Sequence, residues 1–364
     1  MVSGVGMTGL KAPTKPLDMG NSGTAMRLMA GLLAAQPFPS QLIGDESLSN
    51  RPMRRIAVPL TSMGAKCVTD EDGTPPLYIR SVAQLEAIDY TLPVASAQIK
   101  SSILLAGLFA EGTTSVTESA PTRDHTERML EAFGYACEVE QVGGISRKIS
   151  LIGGGTLKAT EIEVPADISS AAFFMVAASI VPGSKLTLKH VGVNPTRTGV
   201  IDILKSMGAE IELKNKRQSG GEPVADITVI YKGLKGTEID PTLVPLAIDE
   251  FPVICVAAAC AEGETTITGA EELRHKESDR ISAMVSGLRA LGVEITEHTD
   301  GMHIKGGAIL GGQVDSHHDH RIAMSFLVLG CATEEAVEVD DGAPIKTSFP
   351  NFIDLMNGLG ADIS

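Results

Sequence analysis

Five alanine-rich apolar runs set the rhythm of the chain: SGTAMRLMAGLLAAQ from Ser22, SAQIKSSILLAGLFAEG from Ser96, SSAAFFMVAASIVPG from Ser169, DEFPVICVAAACAEG from Asp249 and DHRIAMSFLVLGCATEE from Asp319. They are apolar nearly all round, which predicts interior helices over 22–35, 98–110, 169–180, 250–261 and 319–331. A second phrase is interleaved with them, an amphipathic helix end running through glycine into a strand-like stretch. It recurs at Gly64, Gly134, Gly208, Gly292 and Gly360, at intervals of 70, 74, 84 and 68 residues. Fixed spacing of this kind means one supersecondary unit used several times. Stretches such as TTSVTES, SKLTLKHV and ETTITGA follow the apolar helices and alternate as strands do. The repeat therefore reads β-α-β-α-β-β, with apolar helices inside and amphipathic ones such as DHTERMLEAFG outside.

The Gly-rich run GGGTLKATEIEVPAD breaks the pattern and predicts a domain boundary near residue 165. Residues 1–165 then hold two repeats and residues 166–364 hold three. The chain reads as short at both ends of its own repeat: it opens on a loop-like stretch and stops at Ile363-Ser364, where a strand is due. A length of 364 residues suits two domains with sizeable cores. Net charge is −15, which argues against a general nucleic-acid binder but not against a small anion held by clustered arginines. The N-terminal stretch lacks a signal-like apolar core, no apolar run is long enough for a membrane span, and the five cysteines form no CxxC. A reduced, cytoplasmic protein is expected.

Candidate chemistry collects at the mouths of the interior helices, where backbone N–H groups favour anions. LDMGNSGTAMR carries Asn21, Gly23 and, one turn on, Arg27; alone it is either an ordinary helix cap or an anion-binding turn. RPMRR, with Arg51, is a solvated basic turn or a ligand contact. Ser96, Ala97 and Gln98 open the second interior helix, as a capping box or as ligand groups. Arg123 precedes a helix start. Asp249 is either an N-cap or a buried acid. Lys276, Glu277 and Arg280 lie in RHKESDR, a solvated helix start or a charged site. His320 and Arg321 lie in SHHDHRIAM, whose HHxH lacks a common zinc-ligand spacing, so no metal is expected. The joint pattern suggests a cleft between two domains, built for phosphates and carboxylates, with Asp249, Lys276 and Glu277 available for proton transfer.

GNSGTAMR, RPM, VASAQ, RDHTERM, HKESDR, DHRIAM and SFP, in that order over essentially the whole chain, resemble the 5-enolpyruvylshikimate-3-phosphate synthase family. The resemblance implies a two-domain enolpyruvyl transferase fold of β-α-β-α-β-β units in inside-out α/β barrel-like lobes. It also implies transfer of the enolpyruvyl group of phosphoenolpyruvate to the 5-hydroxyl of shikimate 3-phosphate, with release of phosphate and no cofactor. Asn21, Gly23, Arg51, Gln98, Arg280 and Arg321 would hold phosphoenolpyruvate. Ser96, Ala97, Gln98 and Arg123 would hold shikimate 3-phosphate, with Asp249 and Lys276 on its hydroxyls. Asp249 and Glu277 would be the acid–base pair with Lys276 assisting, and Arg27 and His320 would support the site. Gly at position 23 implies sensitivity to glyphosate.

The family begins with a further repeat unit of about 65–75 residues carrying a Gly-Ser/Asp-Lys-Ser-x-Ser-x-Arg segment, which is not found here. Lys346 stands near, but out of register with, the family's late active-site lysine. The expected chain is accordingly one that lacks the family's first unit. Two rival readings follow: a non-catalytic or split-enzyme fragment needing an N-terminal partner or associating with itself, and the sister UDP-N-acetylglucosamine 1-carboxyvinyltransferase.

Overall fold

The structure, a computed structural model, describes residues 2–364 and divides into two compact units, Met1–Ile162 and Glu163–Ser364. The division falls in the strandless run just ahead of residue 165.

The N-terminal unit holds two copies of one pattern. The first runs β1 (Leu17–Asp18), α1 (Gly23–Ala34), β2 (Ser40–Ile43), a short α2 (Glu46–Ser49), α3 (Arg54–Ser62), β3 (Lys66–Val68) and β4 (Leu77–Arg80). The second runs β5 (Asp89–Thr91), α4 (Ala97–Gly107), β6 (Thr113–Glu118), α5 (His125–Ala132), β7 (Glu138–Gly143) and β8 (Ser146–Ile152). The sheets are ordered β1-β2-β4-β3 and β5-β6-β8-β7, so the two copies share one topology. In each, the first two strands are parallel across the apolar helix and the last two form an antiparallel hairpin. A parallel pair needs such a crossover, which is why the apolar helix is the buried one.

The C-terminal unit repeats the pattern three times. The elements are α6 (Ile168–Ile180), β9 (Lys185–Gly192), α7 (Gly199–Ser206), β10 (Glu210–Ser219), β11 (Glu222–Ile230), α8 (Val244–Ala247) and α9 (Phe251–Ala259), then β12 (Glu264–Ile267), α10 (Arg280–Ala290), β13 (Glu294–His298) and β14 (Gly301–Lys305). β15 (Gly312–Val314), α11 (His320–Gly330), β16 (Val337–Val339), α12 (Ile345–Ser348) and α13 (Phe352–Gly358) complete it. In the first two of these repeats the leading strand shrinks to isolated parallel bridges, Ala166 to Val191 and Glu238 to Thr266. The sheets beside them run β9-β11-β10 and β12-β14-β13, again with the hairpin's second strand inside. All nine residues of α9 are buried, and α6 is buried on every side. Phe173 and Phe174 on α6 pack on Phe349 and Phe352 with ring centroids 5.8–5.9 Å apart, tying the unit's last helix to its first. No helix among the described residues is long and apolar enough to cross a membrane.

The recurrent glycine has one physical reason. Gly64, Gly134, Gly208, Gly292 and Gly360 all adopt positive φ, between 75° and 103°. Each follows an outer helix, α3, α5, α7, α10 or α13. In each the glycine N–H returns to the carbonyl three residues back, and the next N–H reaches the carbonyl five back, as in Ala65 to Leu60 at 3.0 Å and Tyr135 to Leu130 at 2.8 Å. This is a Schellman closure, used five times, and its left-handed residue favours glycine.

Candidate functional site

In the N-terminal unit the site residues gather where α1 meets α4. The two helices approach so closely that a Cβ on Gly31 would sit 2.1 Å from the carbonyl oxygen of Ser102, so only glycine fits. That contact brings Thr24 and Arg27, on α1, to Gln98 on α4. Arg27 donates through NH1 to Gln98 Oε1 and through NH2 to the Pro52 carbonyl at 3.2 Å, and Gln98 Nε2 donates to Thr24 Oγ1 at 2.7 Å. Ser96 caps α4 by accepting from Ile99 N at 3.4 Å. The capping box is not formed, because Ile99 occupies the position where a returning Glu or Gln is needed and Gln98 faces Arg27 instead.

Arg51 reaches Asn21 Oδ1 at 3.2 Å and Ser47 Oγ at 3.3 Å, while Asn21 Nδ2 donates to Asp45 at 2.8 Å. Arg51 thus turns inward onto the Asn21–Gly23 turn rather than standing as a solvated basic residue. Burial, and then the neighbouring charges of Arg55 and Arg51, pull the Arg27 guanidinium down to about 10. It remains a cation at neutral pH, with no carboxylate partner among the described residues. Its Nε is buried and unpaired. Like charges at the mouth of a helix favour an anion. Ala97 begins α4, and Arg123 lies half-buried just before α5. Arg55 is the cation sequence reasoning passed over; its place in RPMRR was the signal.

In the C-terminal unit Arg280 is the hub. Its side chain is 1% exposed and meets Asp319 at 2.8 Å, Glu277 at 2.8 Å and Asp249 at 3.9 Å. Lys276 lies 3.5 Å from Asp249 and 2.8 Å from Glu272. Asp249 is not the N-cap of α9. Glu250 holds that position, and its side chain makes no cap bond. Nor is RHKESDR a solvated start: Glu271–His275 form a 3-10 turn, Asp279 caps α10, and Arg280 faces the core. Asp319 caps α11 through Arg321 N at 2.9 Å and also takes Ser278 Oγ at 3.1 Å. Burial works to raise its carboxyl, but Arg280 outweighs it and holds the group below the usual carboxylate range. The Arg321 guanidinium, half-buried, makes no hydrogen bond or ion pair with any described residue.

Three groups beside Arg321 escaped the sequence reading. Glu250 is buried and accepts from Ser169, which also receives Arg197; Arg197 reaches Asp167 at 3.1 Å and Glu250 at 3.9 Å. Burial, then Asp249, pushes the Glu250 carboxyl up against the pull of Arg321 and Arg197. A glutamate beside Asp249 at the mouth of an all-apolar helix was the available signal.

The three histidines of the HHxH run diverge. His317 and His318 adopt positive φ, and His318 pairs with Asp341 at 3.0 Å. His320 turns inward, 4.0 Å from Asp319. No group of three potential ligands among the described residues is arranged to hold a metal. The five cysteines are free thiols, and Lys346 is exposed on α12.

Burial pushes His320 down to about 4, against the opposing charge of Asp319. It is therefore neutral at pH 7. The unfolded chain takes up this proton near 6.5, and the folded chain only near 4. Stability contributed here is present above about pH 6.5 and falls as pH drops toward 4, by about 3 kcal/mol. NMR should find the His320 ring unshifted between about pH 8 and pH 5; a midpoint near 6.5 contradicts the assignment.

Comparison with known proteins fits this geometry. The family model for EPSP synthase (3-phosphoshikimate 1-carboxyvinyltransferase) matches residues 2–356. The 3-phosphoshikimate 1-carboxyvinyltransferase of Methylococcus capsulatus is 58% identical over 362 residues, covering 100% of this chain and 82% of that protein. The structure of EPSP synthase from Acinetobacter baumannii superposes with a TM-score of 0.90 at 56% identity, covering 99% of this chain and 82% of the other. The enolpyruvyl transferase NikO from Streptomyces tendae shares the fold at a TM-score of 0.62 and 13% identity. The repeats of this chain form the enolpyruvyl transferase fold, and with a family match over residues 2–356 and a relative 58% identical over 362 residues the chain belongs to the EPSP synthase family.

Proposed function

We propose that this chain transfers the enolpyruvyl group of phosphoenolpyruvate to the 5-hydroxyl of shikimate 3-phosphate. The observation that carries this reading is its likeness, over its whole length, to enzymes named for that reaction. Arg51, Arg280 and Arg321, with Gln98 and the Asn21–Gly23 turn, hold phosphoenolpyruvate. Ser96, Ala97, Gln98 and Arg123 hold shikimate 3-phosphate, with Asp249 and Lys276 on its hydroxyls. Guanidinium suits the task, being planar, permanently charged and bidentate toward phosphate and carboxylate. The 5-hydroxyl adds to C2 as C3 gains a proton; C3 then loses a proton and C2 loses phosphate. One group must give a proton and another must take one. Asp249 and Glu277 fill these roles, tied by the shared Arg280, and Lys276 stands beside Asp249.

The test is phosphate release from the two substrates, by the 364 residues alone and with the family's N-terminal unit supplied as a separate peptide. Shikimate 3-phosphate should support release and UDP-N-acetylglucosamine should not. Release in neither format overturns the reading.

Glyphosate response follows from Gly23. A Cβ there would lie 3.4 Å from Arg51 NH1, 3.5 Å from Arg27 NH1 and 3.6 Å from Leu48 Cδ1, all ordinary contacts. Gly23→Ala therefore folds normally but places a methyl between two guanidinium groups. The glyphosate concentration for half-inhibition should rise about tenfold or more, with a higher KM for phosphoenolpyruvate. Unchanged inhibition contradicts the placement of Gly23 in this pocket.

A further inference from the structure

Lys100 stands in the first turns of α4, two residues after Gln98, with no exposed surface. An ammonium so placed must be compensated. Its Nζ lies 2.6 Å from Glu127 Oε1 on α5 and 3.2 Å from Glu118 Oε2 at the end of β6, and Glu118 is itself wholly buried. Glu118 is the junction of the cluster. Its Oε1 takes Arg147 through Nε at 3.1 Å and NH2 at 2.9 Å, and its Oε2 takes Thr122 through N at 3.2 Å and Oγ1 at 2.6 Å. One further bond, Thr126 Oγ1 to Ser101 Oγ at 2.7 Å, joins α5 to α4.

The cluster lies behind the residues proposed to hold shikimate 3-phosphate and belongs to none of them. Thr122 immediately precedes Arg123, and Lys100 follows Ser96, Ala97 and Gln98 by one turn. Glu118 therefore grips both segments, the loop that carries Arg123 and the helix start that carries the other three. A buried ion cluster is not needed for stability, since well-packed apolar residues of similar volume often serve as well. Here it fixes a loop that has neither helix nor strand hydrogen bonds of its own between β6 and α5.

We propose that Glu118 is a positioning residue for shikimate 3-phosphate, setting Arg123 through Thr122 and the Ser96–Gln98 helix start through Lys100. This rests on the ligand reading of Arg123 and Ser96–Gln98 given above. The experiment is calorimetric titration of the full chain with shikimate 3-phosphate, for the native sequence, Glu118→Gln, Thr122→Val, Arg123→Ala and the two doubles with Arg123→Ala. Glu118→Gln keeps the shape of the side chain, and should lower affinity about tenfold or more. Thr122→Val removes one hydroxyl without touching a charge, keeps the test open if Glu118→Gln fails to fold, and should lower affinity about threefold. The Thr122→Val double should bind no more weakly than Arg123→Ala alone, because Thr122 acts through that arginine; the Glu118→Gln double should lose more than Arg123→Ala but less than the two single losses combined, the remainder being the part that acts through Lys100. A native chain that does not bind the ligand overturns the functional reading, and this inference with it. Native binding with unchanged affinity in the variants, or with losses in both doubles that are fully additive to that of Arg123→Ala, overturns the inference alone.

Discussion

Replacing Arg321 by alanine weakens phosphoenolpyruvate binding by about 30- to 1000-fold and leaves the fold intact. The magnitude is that of one charge-assisted, bidentate contact in a closed site, about 2–4 kcal/mol. The insensitivity of the fold follows from the arginine's isolation. Its guanidinium joins no hydrogen bond or ion pair among the described residues, although it lies in the fields of Asp167 and Glu250. Its backbone N–H caps onto Asp319, and alanine keeps that bond. A cation that does so little within the protein is available to a ligand. Calorimetry with phosphoenolpyruvate, beside a thermal melt, separates the two effects. Unchanged affinity rejects the assignment, and a lowered melting temperature rejects the claim of isolation.

Asp319→Asn has the opposite profile. Asparagine keeps the capping oxygen of α11, but it removes the charge that meets Arg280 at 2.8 and 3.2 Å in a site with no exposure. Glu277 and Asp249 still face that guanidinium, so the loss is at the lower end for a broken buried pair, about 3 kcal/mol. The pH dependence has a definite sign. A carboxyl held below its ordinary value contributes stability that is complete above about pH 4 and is lost as pH falls through the folded value. Urea unfolding at neutral pH should show the full difference, and the gap between native chain and variant should narrow in acid. A loss under about 1 kcal/mol contradicts the role given to this pair.

The repeats were legible because they rest on local rules. Gly64, Gly134, Gly208, Gly292 and Gly360 stand out in the sequence because a left-handed helix closure disfavours a side chain, and an all-apolar run such as Phe251–Ala259 has no face to give to water. The candidate residues were nominated by the family resemblance and by their place at helix mouths. What the sequence did not display is pairing across long separations. Arg27 and Gln98 stand 71 residues apart and Arg280 and Asp319 stand 39 apart, and nothing periodic links them. Glu250 and Arg197 were missed for the same reason: their meaning lies in each other and in Ser169, which come from three separate elements. Lys100 left a trace that physics could have used. A lysine within IKSSILLAG, in a helix otherwise too apolar to be exposed, requires a buried carboxylate somewhere.

The shared strand order has a practical side. In three of the repeats the last two strands are joined by a tight two-residue hairpin. The tips lie at Gly144–Ile145 between β7 and β8 and at Gly220–Gly221 between β10 and β11, whereas the Thr299–Asp300 tip between β13 and β14 is tied down: Asp300 accepts from Gly269 N at 2.7 Å and the Thr299 carbonyl from Arg274 at 2.7 Å. Neither of the two untied tips carries a candidate residue. Foreign sequence, such as a fluorophore tag or a binding peptide, inserted at either of the two untied tips extends a surface turn, whereas insertion at Thr299–Asp300 would pull on the segment that leads to Lys276.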